Sequence, residues 1–226
     1  CTLVRINDDQ WFLINAAHTL DEWGKNNPIF ISLPDKEIIE LPFALKTKSS
    51  TVDKLDIAVT PILGDFFDFF IDPLISSLPL YDDFPIESFK NYDKRVIFFG
   101  YPSSSSRFNI DLKSKRIKAK PITITSTEVT DISEKTKTNN DIDLSEHILA
   151  KFLRKKIKTQ NGKIQKAPYP HGMSGGAVYY AYVEVGMHED ICMGIEFAGI
   201  GTEYLKLPSL LKATNKNAIL SSGTCF

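Results

Sequence analysis

Three short segments of the 226-residue sequence carry side chains that could perform acyl transfer. One apolar run ends in His18, a second begins with Asp56, and a third segment places Ser174 among three glycines. A serine hydroxyl is a weak nucleophile, so an imidazole must take its proton and a carboxylate must fix the imidazole tautomer. The three segments therefore predict a nucleophile, a general base and an orienting carboxylate.

The glycines around the serine provide for a second requirement of this chemistry. Gly172, Gly175 and Gly176 lack a Cβ atom, so the backbone on both sides of Ser174 can bend tightly. Such bends let backbone N–H groups converge on the point at which an oxyanion forms. Taken alone, a serine among glycines is most often a turn, and only the joint occurrence of the three segments favours catalysis.

Together the three segments resemble the trypsin-like (chymotrypsin-fold) serine peptidases, in particular their bacterial members. The resemblance lies in an Ala-Ala-His motif ending at His18, an Asp-Ile-Ala motif beginning at Asp56, and a Gly-x-Ser-Gly-Gly motif around Ser174. Residues 100–102 (Gly-Tyr-Pro) are similar to an early motif of the family's second barrel. Residues 194–199 are similar to the strand that pairs with substrate.

This resemblance implies a fold, a reaction and a role for each residue. The fold is all-β, with two packed six-stranded antiparallel β-barrels, of which the first supplies His18 and Asp56 and the second Ser174. Ser174 attacks a peptide carbonyl to give an acyl-enzyme, while His18 acts as base and then acid. Asp56 orients His18, and the backbone N–H groups of Gly172 and Ser174 form the oxyanion hole. The expected function is a serine endopeptidase without a cofactor, acting on a peptide or protein substrate.

The serine motif also fits the G-x-S-x-G elbow of the α/β-hydrolases. That fold requires an acidic residue and then a histidine after the serine, and the elbow must lead into a helix. The single histidine after Ser174 is His188, which lies in a polar turn, and residues 177–183 have the composition of a strand. The sequence therefore excludes an α/β-hydrolase.

The resemblance further maps the pocket for P1, the side chain before the scissile bond. Its walls map to Pro168 and Tyr169 before the serine and to Phe197 and Gly199 on the following strand. None of these is charged, so a Lys or Arg at P1 would lose its hydration without a partner, which costs several kcal/mol. We expect small or medium apolar P1 residues, such as Ala, Val or Leu.

Three positions depart from the family pattern. Thr19 stands where secreted members have a disulfide cysteine, and Met173 where an aspartate receives the N-terminal ammonium after zymogen cleavage. Phe197 stands where a serine often supports the buried aspartate. The alternative function is therefore a peptidase-fold binding module, catalytically silent or activated by a partner, that recognises a peptide or protein.

Short β-like runs separated by turn residues make up most of the chain. They predict strands at 2–6, 10–15, 29–33, 42–47, 56–62, 95–101, 115–125, 176–185, 191–200 and 203–207. Prolines between residues 64 and 92 predict a long connection instead. We therefore expect a first β-barrel at 1–70, an inter-barrel connection at 71–93, and a second β-barrel at 94–226.

Two segments have the spacing of helices. Residues 145–157 place their apolar side chains on one helical face, and residues 208–215 begin with a proline suited to a first turn. The first segment belongs to an expected helical insertion at about 127–165, and the second is an expected short C-terminal helix. Basic residues on and before the insertion form either a solvated face or a surface for an acidic protein partner or regulatory domain. They are Lys113, Lys115, Arg116, Lys118, Lys120, Lys151, Arg154, Lys155, Lys156 and Lys158.

The overall composition excludes several other classes of protein. An apolar content of 42% is too high for a disordered chain, and no run approaches the roughly 18 apolar residues of a transmembrane helix. The net charge of −1 argues against broad nucleic-acid binding. We therefore expect neither a nucleic acid nor a membrane as partner.

Cysteine and histidine usage indicates neither disulfides nor a metal. Cys1, Cys192 and Cys225 are too few and too scattered for a disulfide scaffold or a zinc site. The apolar run around Cys192 predicts a buried free thiol, which favours a reducing compartment and a cytoplasmic location. We expect His147 and His188 at the solvated surface, and no histidine pair has metal-ligand spacing.

Overall fold

The computed structural model describes fourteen stretches of the chain. They are residues 1–7, 10–21, 29–32, 38–41, 45–46, 54–62, 78–79, 85–102, 110–111, 116–117, 121–154, 157–158, 164–186 and 190–222. His188, Cys225 and six lysines of the predicted basic surface (Lys113, Lys115, Lys118, Lys120, Lys155 and Lys156) lie outside these residues. So do the side chains of Arg116 and Lys158.

Short strands dominate the described residues. They are β1 (Thr2–Asn7), β2 (Gln10–Ala16), β3 (Ile29–Ser32), β4 (Ile38–Leu41), β5 (Leu45–Lys46), β6 (Ile57–Ile62), β7 (Leu78–Pro79), β8 (Asp93–Gly100), β9 (Ile110–Asp111), β10 (Arg116–Ile117), β11 (Ile122–Ser126), β12 (His147–Lys151), β13 (Ile157–Lys158), β14 (Ile164–Gln165), β15 (Ala177–Glu184), β16 (Ile191–Leu205) and β17 (Leu210–Asn215). The described helices are α1 (Ala17–Asp21), α2 (Ile86–Phe89), α3 (Glu134–Asn139) and α4 (Lys216–Ser221). Among the residues described, no helix is both long enough and apolar enough to span a membrane.

Six antiparallel strands form the larger sheet, in the order β11-β8-β15-β16-β17-β12. Strand alternation is visible in β8, where Val96 and Phe98 are buried and the side chains between and beside them are not. The sheet curls until its two edge strands, β11 and β12, approach each other. Just after β11, the N–H of Val129 donates to Leu149 O of β12 at 2.8 Å. The resulting concave face encloses its own apolar core.

The smaller sheet has the order β5-β6-β2-β1-β7. Its centre consists of the β1–β2 hairpin and of β6, which pairs with β2 from Trp11↔Ile62 to Ala16↔Ile57. Its outer strands β5 and β7 have two residues each, and β3 pairs with β4 in a separate hairpin. Among the described strands, the predicted mostly-β class is therefore confirmed, and the predicted count of six strands is reached in one sheet.

A shared apolar cluster packs the two sheets against each other. Its buried members are Val4, Phe12, Ile14, Ile57 and Val59 from the smaller sheet, Ala177, Phe197 and Ile200 from the larger sheet, and Ile219 from α4. Burying a side chain of this size contributes about 1.5–3 kcal/mol. The cluster lies beneath the strand ends that carry the predicted catalytic residues, so it fixes the two sheets at the site.

The predicted helix at 145–157 is wrong. Residues 147–151 form β12, which pairs antiparallel with β17 from His147↔Thr214 to Lys151↔Leu210. Ile148 and Ala150 pack into the core of the larger sheet, whereas Leu149 packs into a second cluster on the opposite face. A strand buried on both faces reads as a continuous apolar run, which periodicity alone cannot separate from a helix. The described helix of the expected insertion is instead α3.

The helix predicted at 208–215 is wrong, although a short C-terminal helix, α4, follows it from Lys216 to Ser221. Residues 210–215 form β17, which lies between β16 and β12 and is therefore buried along most of its length. The helix α4 begins after Asn215, whose side chain accepts the N–H of Ala218 at 2.8 Å as an N-cap.

Two further predictions about single residues are wrong. Cys192 is exposed, because it lies near the start of β16 and the buried residues of this strand come later. His147, expected at the solvated surface, is only 3% exposed. Of the predicted basic surface, Arg154 stacks on the Tyr169 ring at 3.5 Å rather than facing solvent from a helix.

Candidate active site

The end of β2 and the start of β6 bring His18 and Asp56 together. Because Ala16 pairs with Ile57, the next residue of β2 and the preceding residue of β6 are neighbours, and Ala17 N–H donates to Asp56 O at 2.9 Å. One turn of helix then presents His18 to the aspartate. Antiparallel pairing thus converts a separation of 38 residues into direct contact.

The Asp56 carboxylate binds His18 twice. Its Oδ1 atom accepts the backbone N–H of His18 at 2.8 Å, and its Oδ2 atom lies 2.6 Å from the His18 Nδ1 atom. An ionised carboxylate can only accept, so Nδ1 carries a proton, and in the neutral ring Nε2 then holds the lone pair. This is the tautomer that a general base requires.

Ser174 lies in a tight loop that docks on β16. Within the loop, Met173 N–H donates to Pro170 O and Gly176 N–H donates to Met173 O, both at 3.0 Å. The N–H of Gly175 donates to Gly201 O at 2.8 Å, which fixes the loop to the sheet. Met173, which stands where the family has an ion-pairing aspartate, is 7% exposed and packs into the core of the larger sheet. Apolar packing therefore holds this loop in place.

The serine loop also contacts β2, the strand that leads into His18. Gly175 has φ +85°, and a Cβ atom on it would lie 1.8 Å from the Asn15 side-chain oxygen. The Thr2 hydroxyl of β1 donates to Gly175 O at 2.8 Å and is buried. The residue after Ser174 thus packs against the residue three positions before His18. All three predicted catalytic segments meet at this junction of the two sheets.

The Ser174 hydroxyl donates to Thr202 O at 2.9 Å. Thr202 belongs to β16 and is almost fully buried, so its carbonyl is a fixed acceptor. Proton transfer to His18 requires the hydroxyl to turn away from this carbonyl. The structure thus holds the His18 ring on Asp56 and the Ser174 hydroxyl on the backbone of β16.

Two backbone N–H groups next to the serine are available for an anion. In the part of the chain that the structure describes, no protein acceptor takes the N–H of Gly172 or of Ser174, whereas the intervening Met173 N–H is bound by Pro170 O. Gly172 has φ +86°, a left-handed conformation that favours glycine. These are the two groups that were predicted to form the oxyanion hole.

Among the described residues, two cavities have Ser174 in their lining. The larger, about 280 Å³, is lined by the serine loop, by the start of β1 and by the exposed aromatic residues Phe99 and Tyr101. The smaller, about 20 Å³, lies between Pro170 and the β16 residues 201–204, with Lys212 of β17 also in its lining. The Lys212 ammonium lies 3.6 Å from the Glu203 carboxylate.

The four residues mapped to the P1 pocket lie elsewhere than in these two cavities. Phe197 is 4% exposed and belongs to the cluster between the sheets, where its ring packs edge-on against Tyr179. Gly199 is buried against the backbone of β17. Tyr169 lies under Arg154, and Pro168 is half-buried beside it.

Sequence reasoning missed the part of β16 that touches the serine. Gly201, Thr202 and Glu203 lie beyond the segment that was matched to the substrate strand. A usable signal was present, because no proline or turn dipeptide interrupts residues 191–205, which form one strand of 15 residues.

Metal binding was not predicted, and the described residues contain no group of three or more His, Cys, Asp or Glu side chains that could hold a metal ion.

Comparison with protein-family models gives no match, and comparison with curated proteins gives none either. The geometry around His18, Asp56 and Ser174 is therefore what indicates a function for this chain.

Proposed function

We propose that the chain is a serine endopeptidase of the trypsin-like class, built on two β-barrels. The observation that carries this proposal is the double hydrogen bond between Asp56 and His18 at a junction where the serine loop packs against the same strand. A structural histidine has no need of a carboxylate on Nδ1, of a nearby serine and of two available N–H groups at once. Acyl transfer needs all three.

Each step of the reaction then has a residue. The Ser174 hydroxyl leaves Thr202 O and transfers its proton to His18 Nε2 while its oxygen attacks the peptide carbonyl. The Gly172 and Ser174 N–H groups stabilise the oxyanion, a contribution worth about 10²–10³ in turnover for one donor. His18 then protonates the leaving amine, and water hydrolyses the acyl-enzyme by the same route. Asp56 stabilises the imidazolium throughout.

The smaller cavity is the better candidate for the P1 side chain, because its walls are the loop before the serine and the strand beyond it. A space of about 20 Å³ holds little more than one water molecule. We propose that Gly, Ala or Ser at P1 is preferred over Leu, which narrows the expectation of small or medium apolar residues.

The second candidate is a binding module that holds a peptide without cutting it. The observation that favours it is the Ser174 hydroxyl bound to Thr202 O. In that case a peptide binds beside the serine, and no acyl-enzyme accumulates.

A peptide library incubated with the purified chain and read by mass spectrometry tests the proposal. We expect cleavage after small residues, and Ser174→Ala should reduce turnover by about 10⁶-fold. Ser145→Ala is the matched control, because Ser145 lies on an exposed turn and should leave turnover unchanged. Equal hydrolysis by wild type and Ser174→Ala would refute the peptidase, and binding without cleavage would favour the module.

A further inference from the structure

A pair of residues on the larger sheet reaches across to the segment that precedes Asp56. His147 of β12 and Thr214 of β17 are directly paired across the two strands. His147 is 3% exposed and Thr214 is fully buried. The His147 Nε2 atom lies 2.8 Å from Lys54 O, and the Thr214 hydroxyl donates to Leu55 O at 2.5 Å. Two adjacent side chains of one sheet thus bind two consecutive carbonyls of the other half.

The hydrogen bonds of the His147 ring define its tautomer. The Lys54 carbonyl can only accept, so Nε2 carries the proton that it receives. In the neutral ring Nδ1 is then an acceptor for the Asp143 N–H at 3.0 Å, and it also lies 3.0 Å from Asp143 O. Burial lowers the pKa of His147 below its ordinary value, and the nearby Lys212 acts in the same direction. These two causes outweigh the hydrogen bonds to the Lys54 and Asp143 backbone and the charge of Glu146, which all raise the pKa. The neutral ring donates to the Lys54 carbonyl.

Asp56 is the residue that needs such support. Its φ is +53°, a left-handed conformation that non-glycine residues rarely adopt and that persists where neighbouring contacts impose it. After Asp56, the pairing of β6 with β2 holds the chain. Before it, the structure supplies the hydrogen bonds from His147 and Thr214. The aspartate is thereby fixed from both sides in the conformation that meets His18.

We propose that His147 and Thr214 are positioning residues that hold the Asp56 carboxylate against His18. The inference rests on the proposed peptidase function for its effect on turnover, although its structural part can be measured without it. The inference also explains how Asp56 is supported although Phe197 stands where a serine would support it. The support comes here from His147 and Thr214, which bind the backbone just before Asp56. Neither residue touches substrate, so the expected loss is in kcat rather than in KM.

The matched variants are Thr214→Val, which keeps the side-chain shape and removes the donor, and Thr214→Ser, which keeps the donor. We expect Thr214→Val to lower kcat by about 10- to 100-fold with KM within about twofold, as displacement of a catalytic group does. Thr214→Ser should restore kcat. In an Asp56→Asn background, Thr214→Val should cause no further loss, because the group it positions is already altered.

Proton NMR of the His18 Nδ1–H resonance gives a readout that needs no turnover. The signal, assigned by its change in Asp56→Asn, should shift or exchange away in Thr214→Val and persist in Thr214→Ser. If both variants retain the signal and the same kcat, the inference is overturned. If wild type cleaves no peptide while the signal still distinguishes the variants, the peptidase proposal fails and the positioning role stands. Should Thr214→Val not fold, His147→Gln against His147→Met makes the same comparison, because glutamine retains a donor.

Discussion

The two halves of the candidate site differ in how completely they are assembled. On the smaller sheet, His18 and Asp56 are joined by two hydrogen bonds of 2.8 and 2.6 Å, which fix both the backbone and the ring of the histidine. On the larger sheet, the loop around Ser174 is fixed at its backbone, yet its hydroxyl is bound to Thr202 O.

For the proposed peptidase, this difference separates the parts of the site that folding orders from the part that substrate binding must change, which is the position of the Ser174 hydroxyl. Orienting a base and ordering an oxyanion hole require fixed backbone, and both sheets provide it. Releasing the serine hydroxyl requires only a side-chain rotation, which costs far less than rearranging a loop. We therefore expect a large loss of turnover when the acid–base half (His18 and Asp56) is broken, and smaller effects when the support of the serine half (the loop around Ser174) is altered.

The largest expected effect comes from breaking the acid–base half. Asp56→Asn should lower kcat by a factor of about 10⁴, because the amide cannot accept from Nδ1–H in the same way and His18 takes the wrong tautomer. Asp93→Asn is the control, since Asp93 pairs with Arg95 at an exposed position of β8. Near-full turnover of Asp56→Asn in a peptide assay would show that another group orients His18.

The frame that holds the serine half contains a buried ion pair. Lys216 of α4 lies 3.0 Å from Glu196 of β16, which also accepts the Tyr182 hydroxyl. Lys216→Met should lower the free energy of unfolding by about 3 kcal/mol, because it leaves the Glu196 carboxylate buried without its cation. Urea denaturation measures the change.

The matched control for that change is Lys90→Met, which breaks an exposed pair with Glu87. It should alter stability by less than about 0.5 kcal/mol. Equal effects of the two variants would show that the Lys216–Glu196 pair does not hold β16.

The proposed oxyanion hole of the serine half is tested by Gly172→Ala. A side chain at φ +86° is strained, so the backbone should rotate and turn the Gly172 N–H away from the oxyanion. We expect kcat to fall by about 10²-fold with the fold intact by circular dichroism. Gly194→Ala, near the start of β16 and away from the loop, should change kcat little. If Gly172→Ala retains full turnover, this N–H is not an oxyanion donor.

The smallest expected effect is the pH dependence of stability that His147 introduces. Its pKa in the folded chain lies below the ordinary value of 6.5, mainly because the ring is buried. The unfolded chain then binds more protons below pH 6.5, so the stabilising contribution is complete above that pH and is lost as the pH falls towards the lowered pKa. The slope is at most about 1.4 kcal/mol per pH unit. This pH dependence should disappear from the denaturation curves of His147→Gln, and an unchanged slope in that variant would contradict the prediction.

The sequence predicted those parts of the molecule that local patterns determine. Strands β1, β2, β6, β8 and β15 follow from alternating or apolar runs bounded by turn residues, and the three catalytic segments follow from their residue types. The helix predicted at 145–157 was wrong because a strand covered on both faces loses its period of two.

Contacts between distant segments left no such pattern. The position of the Ser174 hydroxyl depends on the register of a 15-residue strand, which no local signal fixes. His147 and Thr214 reach a segment 93 and 159 residues away, so their role depends entirely on how the sheets pack.

Intact-mass analysis after treatment with a fluorophosphonate probe tests the central claim most directly, because only a serine activated by a base and an oxyanion hole reacts. We predict one covalent adduct per chain on Ser174, absent from Ser174→Ala, much slower in Asp56→Asn and unchanged in Ser145→Ala. A folded wild-type chain that forms no adduct on Ser174, or Ser174→Ala labelled as fast as wild type, would contradict the account.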